Sequence, residues 1–357
     1  MKIPLHIKLR RYLRSLLYNG LSIFIHKHKQ DTNNYLDKNK IKKIVIIRPN
    51  YRIGNLIFLT PLINQLNTEL PNTKIDLIIG MKLAGDILKE LPNVENVYSI
   101  PRKLLLNPVA LFKFIHNIRK TNYDLALNIT PGSISSELTT LLVSAKNKAS
   151  FEHKKSFIPL THTIKQERLY THAGSKPLEL LKLFQIQLPQ ENIPLDIKLT
   201  QKEIQQAQKD FNFIINQIHP KPSYVISLFR NARFDKKIED SWWENWYQEL
   251  LKLDNSIAVI DILSPDIPHK LNDTMLSYQN KNLRVLGAFF HLCDLYISAD
   301  TGPLHLATAS KAKAIALFNQ TNPLTFGTLG SDNLTVDVTK YTPKEIALLT
   351  YKQLIKK

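Results

Sequence analysis

The sequence predicts an α/β protein with two parallel sheets, and three observations lead there. Short, almost wholly apolar runs alternate with amphipathic helical patterns; the alternation stops in a proline-bearing polar stretch; and it then starts again. A run such as Ile75-Asp76-Leu77-Ile78-Ile79 is apolar nearly throughout, as expected of a strand covered on both faces.

The first set predicts strands at 44–47, 75–79, 97–100 and 125–129, followed by helices at 56–66, 84–91, 109–118 and 135–143. The second predicts strands at 225–229, 257–262, 283–285, 295–298 and 314–317, with helices at 241–253, 269–279, 289–293 and 303–309. Between them, 188–222 carries Pro189, Pro194, Pro220 and Pro222 with a polar helix from Thr200 to Asp210. The expected division is a basic amphipathic segment and linker at 1–40, a first domain at 41–205, a linker at 206–222, a second domain at 223–340 and a C-terminal helix at 341–357. Two sheets facing each other would leave a cleft at the carboxyl ends of their strands, the usual ligand position in open α/β sheets.

With 357 residues the chain can bury two cores. It holds 48 Lys+Arg against 30 Asp+Glu, a net charge of +18, which favours an anionic partner. The single Cys293 excludes an internal disulfide framework, and its apolar neighbours mark it as a buried bystander. Near the start, Leu5, Leu9, Tyr12, Leu13, Leu16 and Leu17 fall on one helical face, with Lys8, Arg10, Arg11 and Arg14 between them. That pattern predicts a helix held at an anionic membrane surface; packing on the protein's own body is the alternative. No stretch has the ~20 apolar residues that a spanning helix needs.

Two junctions carry the chemistry. In "LYISADTGPLHLATAS" a strand ends at Ser298, Asp300-Thr301-Gly302 forms the turn, and Pro303 stands where a helix tolerates a missing N–H. Such a helix start suits a phosphate, and Gly302 lets a ligand come close. In "RIGNLIFLTP" Gly54 permits a tight turn before a helix from Asn55 onward. Nucleic-acid binding is not expected, since no zinc finger, RNP motif or similar module accompanies the charge. No Cys-x-x-Cys, His-Glu-x-x-His or Asp-x-Asp suggests a metal, and no Gly-x-Gly-x-x-Gly a nicotinamide cofactor.

"SADTGPLHLATASKAKAIALFNQTNP", "IIRPNYRIGNLIFLTPLINQLNTELPNTKIDLIIG" and "FRNARFDKKIEDSWWENW" resemble, in the same order, three segments of glycosyltransferase family 9, the lipopolysaccharide heptosyltransferases. The resemblance implies the GT-B fold of two Rossmann-like domains and an inverting, metal-independent transferase without cofactor. It implies a nucleotide-diphosphate donor, ADP-heptose, in the C-terminal half, and an acidic glycolipid acceptor, the lipopolysaccharide core, in the N-terminal half. It places the protein peripherally on the cytoplasmic face of the inner membrane.

By position, the resemblance gives Asp300, Thr301 and Gly302 to the donor's diphosphate and sugar, with His305 one turn on, which also reads as a structural helix-face histidine. Lys236 would neutralise the leaving diphosphate, with Lys237 as the alternative register. Trp242, Trp243 and Trp246 read as packing. On the acceptor side stand Arg52, Gly54 and Arg48, with Arg102, Lys103, Lys146, Lys148, His153, Lys154 and Lys155 as further loop cations. The family usually has aspartate after this glycine as general base, whereas this chain has Asn55, an amide that can accept a hydrogen bond but cannot take a proton near neutral pH. Asn55 would then orient the acceptor while another group takes the proton; the acceptor could differ; or the chain is a non-catalytic sugar-nucleotide-binding or membrane adaptor. Asp86 and Glu137 follow neighbouring strands as candidate carboxylates.

Overall fold

The computed structural model describes residues 35–101, 104, 107–232 and 234–356. The basic amphipathic segment expected near the start, and Arg102 and Lys103, lie outside the described residues.

The described chain forms two compact units. One comprises the residues up to Tyr51, with Leu62–Leu169 and Pro177–Gln190; the other comprises Arg52–Pro61, Tyr170–Lys176 and the chain from Glu191 onward. The division therefore differs from the expected 41–205, 206–222 and 223–340.

In the first unit, β1 (Lys43–Arg48), β2 (Lys74–Ile79), β3 (Val94–Ser99), β4 (Tyr123–Asn128), β5 (Ala145–Phe151) and β6 (His162–Ile164) form a sheet of order β3-β2-β1-β4-β5-β6. Every pairing is parallel. Val45, Ile47, Ile78 and Ala126 of the sheet bury one face against Ile118 and Val143. The strand order reverses direction between β1 and β4, and Ile47 stands opposite Asn128 there.

The second unit repeats the plan. Strands β7 (Tyr224–Phe229), β8 (Ile257–Ile262), β9 (Leu276–Tyr278), β10 (Leu295–Ala299), β11 (Ala314–Phe318) and β12 (Leu334–Asp337) pair in the order β12-β11-β10-β7-β8-β9, again all parallel. Numbered within its own unit, this is the arrangement of the first sheet, with the reversal between β7 and β10. Trp243 and Trp246 are fully buried against β7, β10 and β11, and Trp242 packs at the margin. The Trp246 indole donates to Thr350 Oγ1 at 3.2 Å, fixing its helix to the C-terminal one. All three tryptophans thus pack the core rather than lining a site.

Helices run between the strands: α1 (Ile53–Ile57), α2 (Thr60–Glu69), α3 (Lys82–Leu88), α4 (Pro108–Arg119), α5 (Ile134–Leu142), α6 (Gln201–Ile215), α7 (Asp240–Leu253), α8 (Leu283–Leu292), α9 (Gly302–Ala309), α10 (Pro323–Phe326) and α11 (Pro343–Ile355). Four differences from the expected elements have local causes. The helix expected at 56–66 is two, α1 and α2, because Pro61 cannot donate the backbone bond that would join them. Leu283–Val285 is the first turn of α8 rather than a strand, since Asn282 accepts from the Arg284 and Val285 amides as an N-cap. The helix expected at 269–279 is absent: Asn272 takes the Thr274 amide at 2.9 Å in a local turn, and β9 follows.

The fourth concerns the connection. Most of 206–222 is α6, which carries a Thr200–Glu203 capping box and packs on α8. Arg284 donates to Ile197 O at 2.9 Å and Lys198 O at 2.8 Å and pairs with Glu203, so this stretch is fastened to the second unit rather than linking two bodies. No helix among the described residues is long and apolar enough to cross a membrane.

Candidate functional site

β10 ends at Ala299, and Asp300 emerges at the carboxyl edge of the second sheet with 7% of its surface exposed. A carboxylate so buried must be paired. Lys236, at the end of the short turn Phe234–Lys236, places Nζ on Asp300 Oδ2; Thr321, in the loop after β11, donates to the same oxygen; His305 Nε2 lies 3.6 Å from Oδ1. Burial alone would raise the Asp300 carboxyl, but the contacts from His305, Lys236 and Thr321 outweigh it and hold it far below the usual carboxylate range. Asp300 is therefore held as an anion that pairs with Lys236 and Thr321, rather than standing as a free acid or base. Asn319 donates to Asp235 O at 3.0 Å and tethers the turn that carries Lys236.

This geometry separates the two lysines that the sequence leaves in one slot. Lys236 is half-buried on Asp300; Lys237 is exposed.

Thr301 caps α9 by accepting the Leu304 amide, and Gly302-Pro303 opens the helix. Since Pro303 has no N–H and the Leu304 amide is committed, any anion recognition at this end falls to the amides of Thr301 and Gly302 and to the helix dipole. Gly302 serves helix contact: a Cβ there would lie 3.3 Å from Ile53 Cβ.

Gly54 needs a correction. It sits inside α1 and is absent from the residues of positive φ, so it makes no tight turn. Its missing side chain admits His305, whose Cδ2 would stand 2.5 Å from a Cβ at this position. The reason is packing of α1 on α9. Phe58, just after α1, sets its ring edge-on to His305 at 4.6 Å and to His172 at 5.4 Å, and stacks on Phe326 at 6.2 Å. The Gly174 amide donates to His172 Nδ1 at 3.1 Å, which leaves the Nε2 proton to donate to Gly327 O at 3.0 Å. Burial, with the nearby His305 and Lys176, pushes His172 down to about 4 against the bond to Gly327, and keeps it neutral.

Asn55, half-buried, and Arg52, exposed, belong to this same unit through α1. Of the two carboxylates considered as substitutes for a base, neither is free. Asp86 is exposed and 3.6 Å from Lys89. Glu137 is fully buried and accepts from Gly132 N at 2.8 Å, Phe157 N at 2.9 Å and Ser156 Oγ at 3.1 Å.

Arg48 ends β1 in the first unit. It is 9% exposed, its Nε and Nη1 are buried without a partner, and burial pushes its guanidinium down to about 10. Of the other loop cations there, Lys146 pairs with Asp124 at 2.9 Å and Lys148 donates to Leu141 O at 3.0 Å, while the His153 ring rests against Gly132 and accepts the Lys155 amide at 3.1 Å. Lys154 is exposed.

Sequence reasoning missed Thr321, although "FNQTNP" contains it, and missed the ring cluster at Phe58, His172 and Phe326. Thr321 was readable as the polar residue of a strand-end turn; the ring contacts join distant segments and leave no local signal.

The family model for glycosyltransferase family 9 (heptosyltransferase) matches residues 111–259 and 279–349. Lipopolysaccharide heptosyltransferase 3 of Escherichia coli K12 is 26% identical over 291 residues, covering 75% of this chain and 80% of that protein. Among solved structures, a family 9 glycosyl transferase from Veillonella parvula has a TM-score of 0.74 at 16% identity, covering 88% of this chain and 98% of its own. E. coli heptosyltransferase WaaC with ADP has a TM-score of 0.69 at 18% identity, covering 87% and 99%. Those likenesses give the two-sheet α/β fold of the GT-B heptosyltransferases, and the family match over most of its length shows that this chain belongs to glycosyltransferase family 9.

Proposed function

We propose that the chain transfers heptose from a nucleotide-diphosphate donor, ADP-heptose, to the lipopolysaccharide core, by inverting displacement without a metal ion. The observation that carries the reading is Lys236, held on Asp300 beside the head of α9. As the bond to the sugar breaks, the departing diphosphate gains negative charge, and a pre-aimed ammonium with the Thr301 and Gly302 amides would meet it. The relatives support the donor and acceptor: one is a lipopolysaccharide heptosyltransferase, and one solved neighbour holds ADP.

Arg52 and Arg48 would receive acidic groups of the acceptor, and Asn55 would orient its hydroxyl. The N-terminal basic segment would hold the protein at the cytoplasmic face of an anionic membrane, where a glycolipid acceptor is reached.

Asn55 also favours a second reading, a non-catalytic sugar-nucleotide-binding or membrane adaptor, because an amide cannot remove the acceptor's proton. Turnover of ADP-heptose with a deacylated core acceptor separates the two: product formation supports the transferase, and donor binding without turnover supports the adaptor. The transferase reading expects Asn55→Asp to preserve or raise turnover at unchanged donor affinity. Mass spectrometry of core oligosaccharide from cells lacking the protein would name the missing sugar and its position.

A further inference from the structure

We propose that the outward face of α4, in the first unit, docks on an anionic bilayer, with Val109 and Phe112 entering the headgroup layer and the cations beside them meeting lipid phosphates. The inference rests on the membrane reading above, which gives the anchorage to the N-terminal segment, and adds a second contact from the described residues.

α4 spends its inner face on the sheet. Ile118 is buried against Val45, Ile47, Ile78, Ala126 and Val143, and Phe114, one turn earlier, packs on the same cluster. At about 100° per residue, Val109, Lys113, His116 and Lys120 then point away from the sheet, with Phe112 and Arg119 on one shoulder. All six are exposed, Val109 at 63% and Phe112 at 71%. The Phe112 ring stacks on His116, with centroids 6.2 Å apart and planes 10° from parallel.

A lone exposed apolar residue needs no explanation; the company of these two does. α4 contains no acidic residue, and no carboxylate among the described residues pairs with Lys113, Arg119 or Lys120. Positive charge is crowded there: the Lys148 ammonium, lowered first by burial, is lowered further by Arg119. Exposed carbon among unanswered cations matches an anionic lipid layer, which takes apolar side chains just beneath its phosphates. The helix is only about 18 Å long, and its two exposed apolar side chains fall far short of the roughly 800 Å² per partner of a stable protein interface. A bilayer is therefore favoured over a second copy of the chain.

α6 supplies the contrast. Phe213 is 73% exposed there, but Asp210 lies one turn before it and Asn216 and Gln217 one turn after, so that face carries mixed polarity and no excess of cations.

The placement of α4 suits a glycolipid acceptor. A helix that follows a parallel strand runs back along it, so Val109 and Phe112, in the first turns, lie toward the carboxyl edge of the sheet, where Arg48 ends β1. At that edge Tyr51 donates to Ile100 O at 2.8 Å, tying the loop after β1 to the loop before α4. Pro108 opens the helix and Asn107 caps it by accepting the Ala110 amide at 3.0 Å, so the face is formed before lipid is met.

The test places an NBD fluorophore at Phe112→Cys in the full chain, with the buried Cys293 replaced as Cys293→Ala, and adds vesicles of phosphatidylcholine alone or mixed with phosphatidylglycerol. Emission should rise and move to the blue with the mixed vesicles only, and high salt should reverse the change. In vesicle sedimentation, Val109→Ser with Phe112→Ser, and separately Lys113→Gln with Lys120→Gln, should each weaken binding by about fivefold or more, whereas Phe213→Ser should not. Sedimentation with the mixed vesicles while the probe keeps its vesicle-free emission would overturn the inference and leave the N-terminal anchorage standing. A probe already shielded from water without vesicles would overturn it too, because protein would then cover the face. Failure of the wild type to sediment with anionic vesicles would sink the membrane reading together with this one.

Discussion

Two sheets of the same strand order each carry a buried arginine at the carboxyl end of their first strand, and the two are treated in opposite ways. Arg230 is held by Asp261 through three hydrogen bonds of 2.9–3.2 Å, by Asp240, and by His269 O at 2.8 Å. Burial would lower its guanidinium, yet these partners leave it raised. Arg48, with nothing to offset burial, goes down to about 10, which costs the folded state roughly 3 kcal/mol relative to the unfolded chain. The same side chain at the same topological point is thus structural where its charge is answered from within. Where it is left unanswered, its burial weighs against the folded state. Asp300 and Lys236 extend the contrast, since the second unit also neutralises its buried carboxylate internally.

The largest expected effect breaks the answered arginine. Arg230→Met leaves the buried Asp261 without its cation and should cost about 3–5 kcal/mol, read from urea denaturation. Arg48→Met, under the same conditions, should cost nothing. Equal losses at both positions would erase the distinction.

His172 sharpens it from another side, because a histidine buried without a counter-charge can simply stay neutral. Unfolded, it titrates near 6.5 and, folded, near 4. The unfolded chain therefore binds the extra proton between those values, so this contribution to stability is complete above pH 6.5 and disappears as the pH falls toward 4. Its size is roughly 3 kcal/mol. Denaturation midpoints of His172→Asn across pH 4–7 should show a shallower acid limb than the wild type; parallel curves would show that another group governs it.

How far the sequence spoke depends on whether the determinant was local. The alternation of apolar strands with helices was legible because strands covered on both faces leave runs such as Ile44–Ile47. β5 and β6 were not, since Lys146 and Lys148 interrupt the first and His162–Ile164 is too short to show a period. Asp300, Thr301 and the α9 start could be read because a strand end, an N-cap and Pro303 are adjacent in sequence. That Asp300 is already engaged by Thr321 and Lys236 depends on three separate loops. Gly54 illustrates the limit best: its glycine was conspicuous, but the ring it makes room for belongs to His305, in a helix far along the chain.

A smaller loss than that expected at Arg230 follows from that contact. Gly54→Ala sets a methyl 2.5 Å from His305 Cδ2, so the ring or α1 must move, at about 1–3 kcal/mol. Because His305 also lies near Asp300, donor affinity should fall along with the denaturation midpoint. A fall in stability with unchanged donor affinity would make the contact structural alone.

The central claim, that a donor diphosphate is met by Lys236 beside α9, is tested most directly by calorimetric titration of ADP and of adenosine into the wild type and Lys236→Met. ADP binding should weaken by about tenfold or more in the variant, as expected for the loss of a charge-assisted contact, while adenosine binding stays the same. Equal ADP affinities in the two proteins would contradict it.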